Sequence, residues 1–199
     1  MTTTRVPQAE RSRVMRARLL EACVELLVER GYAGTTTTLV SERAGVSRGA
    51  QLHHFPTKAD LVVAAVEHVM TERGIALDEA ARSLGHPGTR AVLELLADHV
   101  TSSVFTAALE LWVAARTDAD LLAAVAPLEA KTGRETHRVT VELLGADESV
   151  PGVRELVQAT LDLMRGLALA TTLGDDDRRR ERILDQWAAT LDQTLGRTA

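Results

Sequence analysis

The 199-residue chain is 45% hydrophobic and 26% charged, with 13 Gly and 5 Pro. These values fit a folded globular protein and exclude a disordered or fibrous one. Cys23 is the lone cysteine, so an intrachain disulfide and a cysteine-built zinc site are excluded. The net charge of −5 is uneven: residues 1–58 hold nine Lys and Arg against five Asp and Glu, residues 59–199 fourteen against twenty-three. A basic head on an acidic body suits an anionic partner at one end, although a solvated basic tail accounts for the charge equally well.

Residues 1–12 are expected to form a flexible N-terminal arm, polar and without periodicity through residue 10. An amphipathic pattern starts at Arg11, and Leu19, Leu20, Cys23, Val24 and Leu27 fall on one helical stripe. Gly31 closes that helix. Among the threonines 35–38, Thr36 caps a short helix from Thr37 to Ala44. Gly45-Val46 makes a turn, Ser47 caps a third helix through about His53, and Phe55-Pro56 ends it. In Thr57-Lys58-Ala59-Asp60 the acid reaches back as in a capping box, opening a long helix to about Leu84. After the break at 85–88, helices are expected at 89–102, 103–117, 118–144, 150–173 and 176–196. Asp118, Asp120 and 175–177 suit helix starts, Gly145 and Gly174 suit stops, and Pro127 is expected to kink or interrupt its helix. Strand-like alternation is absent, so the fold class is all-α. No stretch is long and apolar enough to span a membrane, and MTTTRVPQAERSR lacks a signal-peptide core. No membrane partner and a cytoplasmic location are therefore expected.

Residues 36–55 read as a helix, a glycine turn and a helix. Gly45 can take the left-handed angle that a tight turn needs, and Ala44 lets the helices approach. Val40, Val46 and Leu52 are expected to close the core. Ser47, Arg48, Gly49, Ala50 and His53 are expected outside, where small residues admit a DNA major groove and Arg can pair with guanine. A metal site at His53-His54 is disfavoured, because adjacent side chains leave a helix in different directions.

The pattern GY-x-x-TT…AGVSRG…HFPTK…L, from about Arg13 to Glu72, resembles the TetR family of bacterial transcription regulators. The resemblance implies a helix-turn-helix DNA-binding domain at 13–73, with its motif at 36–55, and a helical ligand-binding and dimerisation domain at 74–199. It also implies roles. Thr36 caps helix two and meets a phosphate. Thr38 faces the groove. Arg48, Gly49 and His53 stand at contact positions, and His54 precedes the Phe. Lys58 meets the DNA backbone. The family often has Thr-Leu-Tyr where this chain has Ala50-Gln51-Leu52, and Leu52 cannot make the tyrosine's phosphate contact. Arg11, Arg13, Arg16 and Arg18 are either phosphate contacts or a solvated face.

The body carries no catalytic signature, so an enzyme is not expected, nor a cofactor or a metal. Phe105, Leu109 and Trp112 share one helix face. They form either a plain core stripe or one wall of a ligand cavity, with Leu163, Met164 and Leu167 opposite. His99 and His137 are possible polar handles. Leu156, Gly166, Ala170, Ile183, Trp187 and Leu191 lie on two final helices, which by the family's plan pair across a homodimer as a four-helix bundle. Two recognition helices would then read a palindromic operator in double-stranded DNA. The expected function is a ligand-responsive repressor, released by a small apolar or amphipathic effector. A DNA-binding dimer without a ligand stays open, as does, more remotely, an enzyme or a small-molecule carrier.

Overall fold

The computed structural model describes residues 8–85, 87–101, 103–172, 174 and 176–196, and nine α-helices account for nearly all of them. The first is α1 (Gln8–Gly34). It starts ahead of Arg11, so residues 8–12 of the expected arm are helical. Glu10 in the first turn explains the early start: it suits the helix dipole and pairs with Arg13 at 2.7 Å. Regular helix ends at Gly31, which has φ 66° and ψ 179°. A Cβ there would overlap the carboxylate of Glu110, which accepts the Tyr32 N–H at 3.0 Å.

Local capping fixes the next three helices. Helix α2 (Thr37–Ala44) is capped by Thr36, whose hydroxyl accepts the Leu39 N–H at 3.3 Å. It ends at Gly45, φ 61° and ψ 37°, where the Gly45 and Val46 N–H groups return to Glu42 and Ser41. This double bond back into the last turn satisfies carbonyls that a helix end otherwise leaves open. Helix α3 (Arg48–His54) is capped by Ser47, which accepts the Ala50 N–H at 3.3 Å. Helix α4 (Lys58–Leu84) opens on a complete capping box: the Thr57 N–H reaches Asp60 Oδ2 at 3.0 Å, and the Asp60 N–H reaches Thr57 Oγ1 at 3.0 Å.

The remaining helices are α5 (Thr89–Val100), α6 (Ser103–Ala115), α7 (Ala119–Leu144), α8 (Val153–Thr171) and α9 (Asp177–Leu195). Helix α7 runs unbroken through Pro127. The carbonyl of Ala123, which proline deprives of a donor, belongs to an exposed residue, as does Pro127 itself, so water can take the lost bond. Helix α8 starts three residues later than expected because a turn intervenes, closed by the Val150 N–H to Asp147 and the Val153 N–H to Val150. It stops at Thr171, ahead of Gly174. The residue before Asp176 lies outside the described residues; Asp176 and Asp177 stand at the start of α9 as expected.

The chain forms two compact units, and they interleave. One comprises the residues up to Val69 together with Ala107–Leu128, the other Met70–Thr106 together with the chain from Glu129 onward. The first is built on Leu19, Cys23, Leu26 and Leu27 of α1, Val40 and Ala44 of α2, Phe55, and Leu61 and Val62 of α4, all buried. In the second, α5 packs on α8 and α9 through buried Leu93, Leu96, Val157, Met164, Leu184 and Leu191. The contiguous division expected at residue 73 differs from this arrangement, in which part of α6 and the start of α7 join the N-terminal helices.

Candidate nucleic-acid interface

Helix α3 is two turns long, and its outward face is sharply defined. Arg48, Gly49, Leu52 and His53 are exposed, Ala50 and His54 half-buried, and Gln51 fully buried. Positions 48, 49, 52 and 53 share one side of a helix. Arg48 has no side-chain partner among the described residues, and a Cβ built on Gly49 meets nothing within 4 Å. Val40 and Val46 are core residues, but the expectation for Leu52 is overturned: it is 45% exposed, while Gln51 is 0% exposed. Gln51 is tolerated inside because its Nε2 donates to the Phe55 carbonyl at 2.7 Å, closing the end of the helix. Hydrophobicity alone favours the leucine for the core. The signal against it lay in the family pattern, whose apolar residue aligns with Gln51.

Around α3 the exposed polar groups are Thr36, Thr38 and Ser47, with two of the three hydroxyls already capping helices. Lys58 is half-buried. Its Nζ donates to the Tyr32 carbonyl at 2.6 Å and lies 3.9 Å from the centre of the Tyr32 ring. Burial pulls its pKa below the usual lysine value. An ammonium has three donors, and Tyr32 uses one. The same burial pushes the Cys23 thiol up to about 12, with Lys58 opposing, so Cys23 is an inert core residue. Burial also lowers the pKa of His54, helped by His53 and Arg16.

The cations of the head divide into held and free ones. Arg43 forks onto Glu29 with two bonds of 2.8 Å and reaches Glu25 at 3.2 Å, which clamps α2 to α1. Arg13 is taken by Glu10. Arg16 lies 5.3 Å from the centre of the Phe55 ring. Arg11, Arg18 and Arg48 are exposed and belong to no ion pair among the described residues.

The residues expected to line a ligand cavity are more dispersed. Phe105, Met164 and Leu167 are buried within the second unit, and Leu109 and Trp112 are half-buried within the first. Leu163 instead lines a groove of about 380 Å³ with Ile183, Trp187 and the arginines 179 and 182. Trp187 Nε1 donates to the buried Thr160 hydroxyl at 3.0 Å. Of the residues expected in a dimer face, Leu156, Ala170, Ile183 and Trp187 are half-buried and Gly166 exposed. Leu191 is 0% exposed and has no surface left for a second copy. His99 is half-buried beside Arg73, and burial first, then that cation, lowers its pKa to about 4. His137 sits 2.7 Å from Glu148 in an open groove on α7 and α8. Among the described residues no cluster of His, Cys, Asp or Glu could hold a metal, and no single helix is long and apolar enough to cross a membrane.

Comparison with known proteins agrees with this geometry. The model of the family described as bacterial regulatory proteins, tetR family, matches residues 19–65. The HTH-type transcriptional regulator CymR of Pseudomonas putida is 31% identical over 195 residues, covering 92% of each chain. An uncharacterised HTH-type transcriptional regulator of Mycobacterium tuberculosis is 29% identical over 169 residues, covering 80% of this chain and 87% of the relative. Among solved structures, a transcriptional regulator from Rhodococcus sp. Rha1 superposes with a TM-score of 0.75 at 23% identity, over 92% of this chain and 98% of that one. The multidrug binding protein EbrR, complexed with proflavin, gives 0.62 at 19% identity, over 87% and 99%. CymR and the relatives from Mycobacterium tuberculosis and Rhodococcus are named as transcriptional regulators. A helix pair capped by Thr36 and Ser47, a left-handed Gly45 between them and an end-to-end match to an HTH regulator together establish that this chain is a DNA-binding transcriptional regulator of the TetR family.

Proposed function

We propose that the protein is a repressor that binds a palindromic operator as a homodimer and lets go when a small apolar or amphipathic molecule enters its helical body. The observation that carries the reading is the outward face of α3, with an unpaired Arg48 beside an open Gly49. An arginine there is free to fork onto a guanine edge, and a glycine lets the helix backbone approach the groove. Thr36, Thr38, Ser47, Ala50, His53, His54 and Lys58 complete the DNA contacts on this reading. Hydroxyls, ring nitrogens and an ammonium suit phosphate oxygens, which position a protein without specifying sequence.

The dimer is proposed on the groove of Leu163, Ile183 and Trp187, where apolar groups face outward between arginines. Leu156, Gly166 and Ala170 add small or apolar surface on α8. Effector binding is proposed at Leu109 and Trp112 on α6, and the multidrug binding protein EbrR, solved with proflavin, supports a small-molecule ligand for this fold. Helix α4 is continuous from Lys58 to Leu84. The ligand releases DNA only if it binds better to the arrangement that spaces the recognition helices wrongly. The test is operator release in a fluorescence anisotropy assay, with a panel of apolar and amphipathic compounds, for wild type and Trp112→Ala. Release of wild type by at least one compound, with Trp112→Ala bound to DNA but unresponsive, is expected. Indifference of wild type to the whole panel would favour a regulator without an effector.

A further inference from the structure

The outward face of α3 carries one large apolar side chain that the core does not take in. Leu52 is 45% exposed on the side of the helix that also bears Arg48, Gly49 and His53. A single exposed leucine on a protein surface is ordinary. This one stands in the middle of a surface that DNA covers, where an apolar tip must either meet an apolar group or desolvate polar base edges without recompense. The edges of the base pairs in the major groove offer one apolar group, the C5-methyl of thymine. Gly49, three residues earlier and with open space where a Cβ would stand, lets the helix sit close enough for so short a side chain to arrive.

We propose that Leu52 is a specificity-determining residue that packs on a thymine methyl in each half-site. The assignment rests on the reading of α3 as the recognition helix. Leu52 lies one turn from Arg48, about 6 Å along the axis at 1.5 Å per residue. The thymine therefore stands within about two base pairs of the guanine that Arg48 reads, since the base pairs rise roughly 3.4 Å each and the helix follows the oblique groove. Leu52 thus supplies sequence information in place of the phosphate anchor that a tyrosine would give.

The test uses the full-length protein and the operator duplex recovered by selection, with each thymine replaced in turn by deoxyuridine, which lacks only the methyl. For wild type, one replacement per half-site should weaken binding about fourfold, the value of one methyl-sized group withdrawn from water. Leu52→Ala should be indifferent to that same replacement. Its thermal melt should match wild type, because the side chain supports no core. Arg48→Ala should bind more weakly but keep the thymine dependence. Equal tolerance of every deoxyuridine by wild type would overturn the assignment, as would the same dependence persisting in Leu52→Ala. Failure of wild type to bind any duplex above the non-specific level would overturn the recognition-helix reading itself, and this inference with it.

Discussion

Gly49 has ordinary helical backbone and open space around it, so nothing in the fold requires a glycine there. Gly49→Ala should leave the melting temperature unchanged or raise it, since alanine in a helix gains roughly 0.5–1 kcal/mol over glycine. Operator affinity should fall at the same time, and that divergence between calorimetry and a binding isotherm would locate the DNA contact. Arg48→Ala should cost roughly 1–3 kcal/mol of specific binding and nothing in stability. Unchanged operator affinity in a gel-shift titration would mean that the register assigned to α3 is wrong. Which single residues could be read from sequence follows from the range of the forces on them. Thr36, Gly45, Ser47, Thr57 and Asp60 act on backbone groups within a few residues, and all stand as expected. Gln51 and Leu52 exchange places because their burial depends on what the first helix offers and on a bond to Phe55. Glu110, which holds the turn at Tyr32 from 78 residues away, gives no sequence signal at all.

The helices rest on their end groups to differing degrees. Between α2 and α3 the only route for the chain is the left-handed Gly45, φ 61°. Gly45→Ala should destabilise the head by about 1–2 kcal/mol, seen as a lower unfolding midpoint in urea, with Gly45→Asn losing less. In the second unit, α5 ends on Arg73, whose Nη2 donates to the carbonyls of Asp98 and His99 at 3.3 and 2.5 Å. His99 beside it is held neutral, with a pKa lowered to about 4 by burial first and by Arg73 second. The unfolded chain takes up this proton from about pH 6.5 downward and the folded chain does not, so His99 removes stability as pH falls through that window to about 4. The loss should reach roughly 2–3 kcal/mol at pH 4. His99→Gln should flatten the fall in melting temperature between pH 7 and pH 4 relative to wild type, and an identical fall in both would refute the assignment. Helix periodicity made the helices of the body readable to within a few residues. The path of α7 through Pro127 was not, because it depends on that face of the helix lying in water.

A contiguous cut through the chain is the simplest division a sequence suggests: the charge changes sign after residue 58, and the family resemblance implies a boundary at 73. The structure instead joins Ala107–Leu128 to the N-terminal helices. Such interleaving is set by contacts far apart in sequence, which no local pattern encodes. The same limit separates core from surface on the last helix: Leu191 and Trp187 share a stripe, yet Leu191 is wholly buried and Trp187 borders the outer groove. Ile183→Asp should therefore yield folded monomers in sedimentation velocity, whereas Leu191→Asp should prevent folding. A folded dimer of Ile183→Asp would move the proposed interface elsewhere. A monomer should also lose most operator affinity, since two heads about 34–36 Å apart are needed to read both half-sites together. The most direct measurement is selection of sheared DNA from the source genome on the purified protein, followed by sequencing, at two salt concentrations. One enriched palindrome, bound more weakly at the higher salt as phosphate contacts demand, is the predicted result. Recovery of no preferred sequence at either salt, with or without cell extract to supply an effector, would contradict the account.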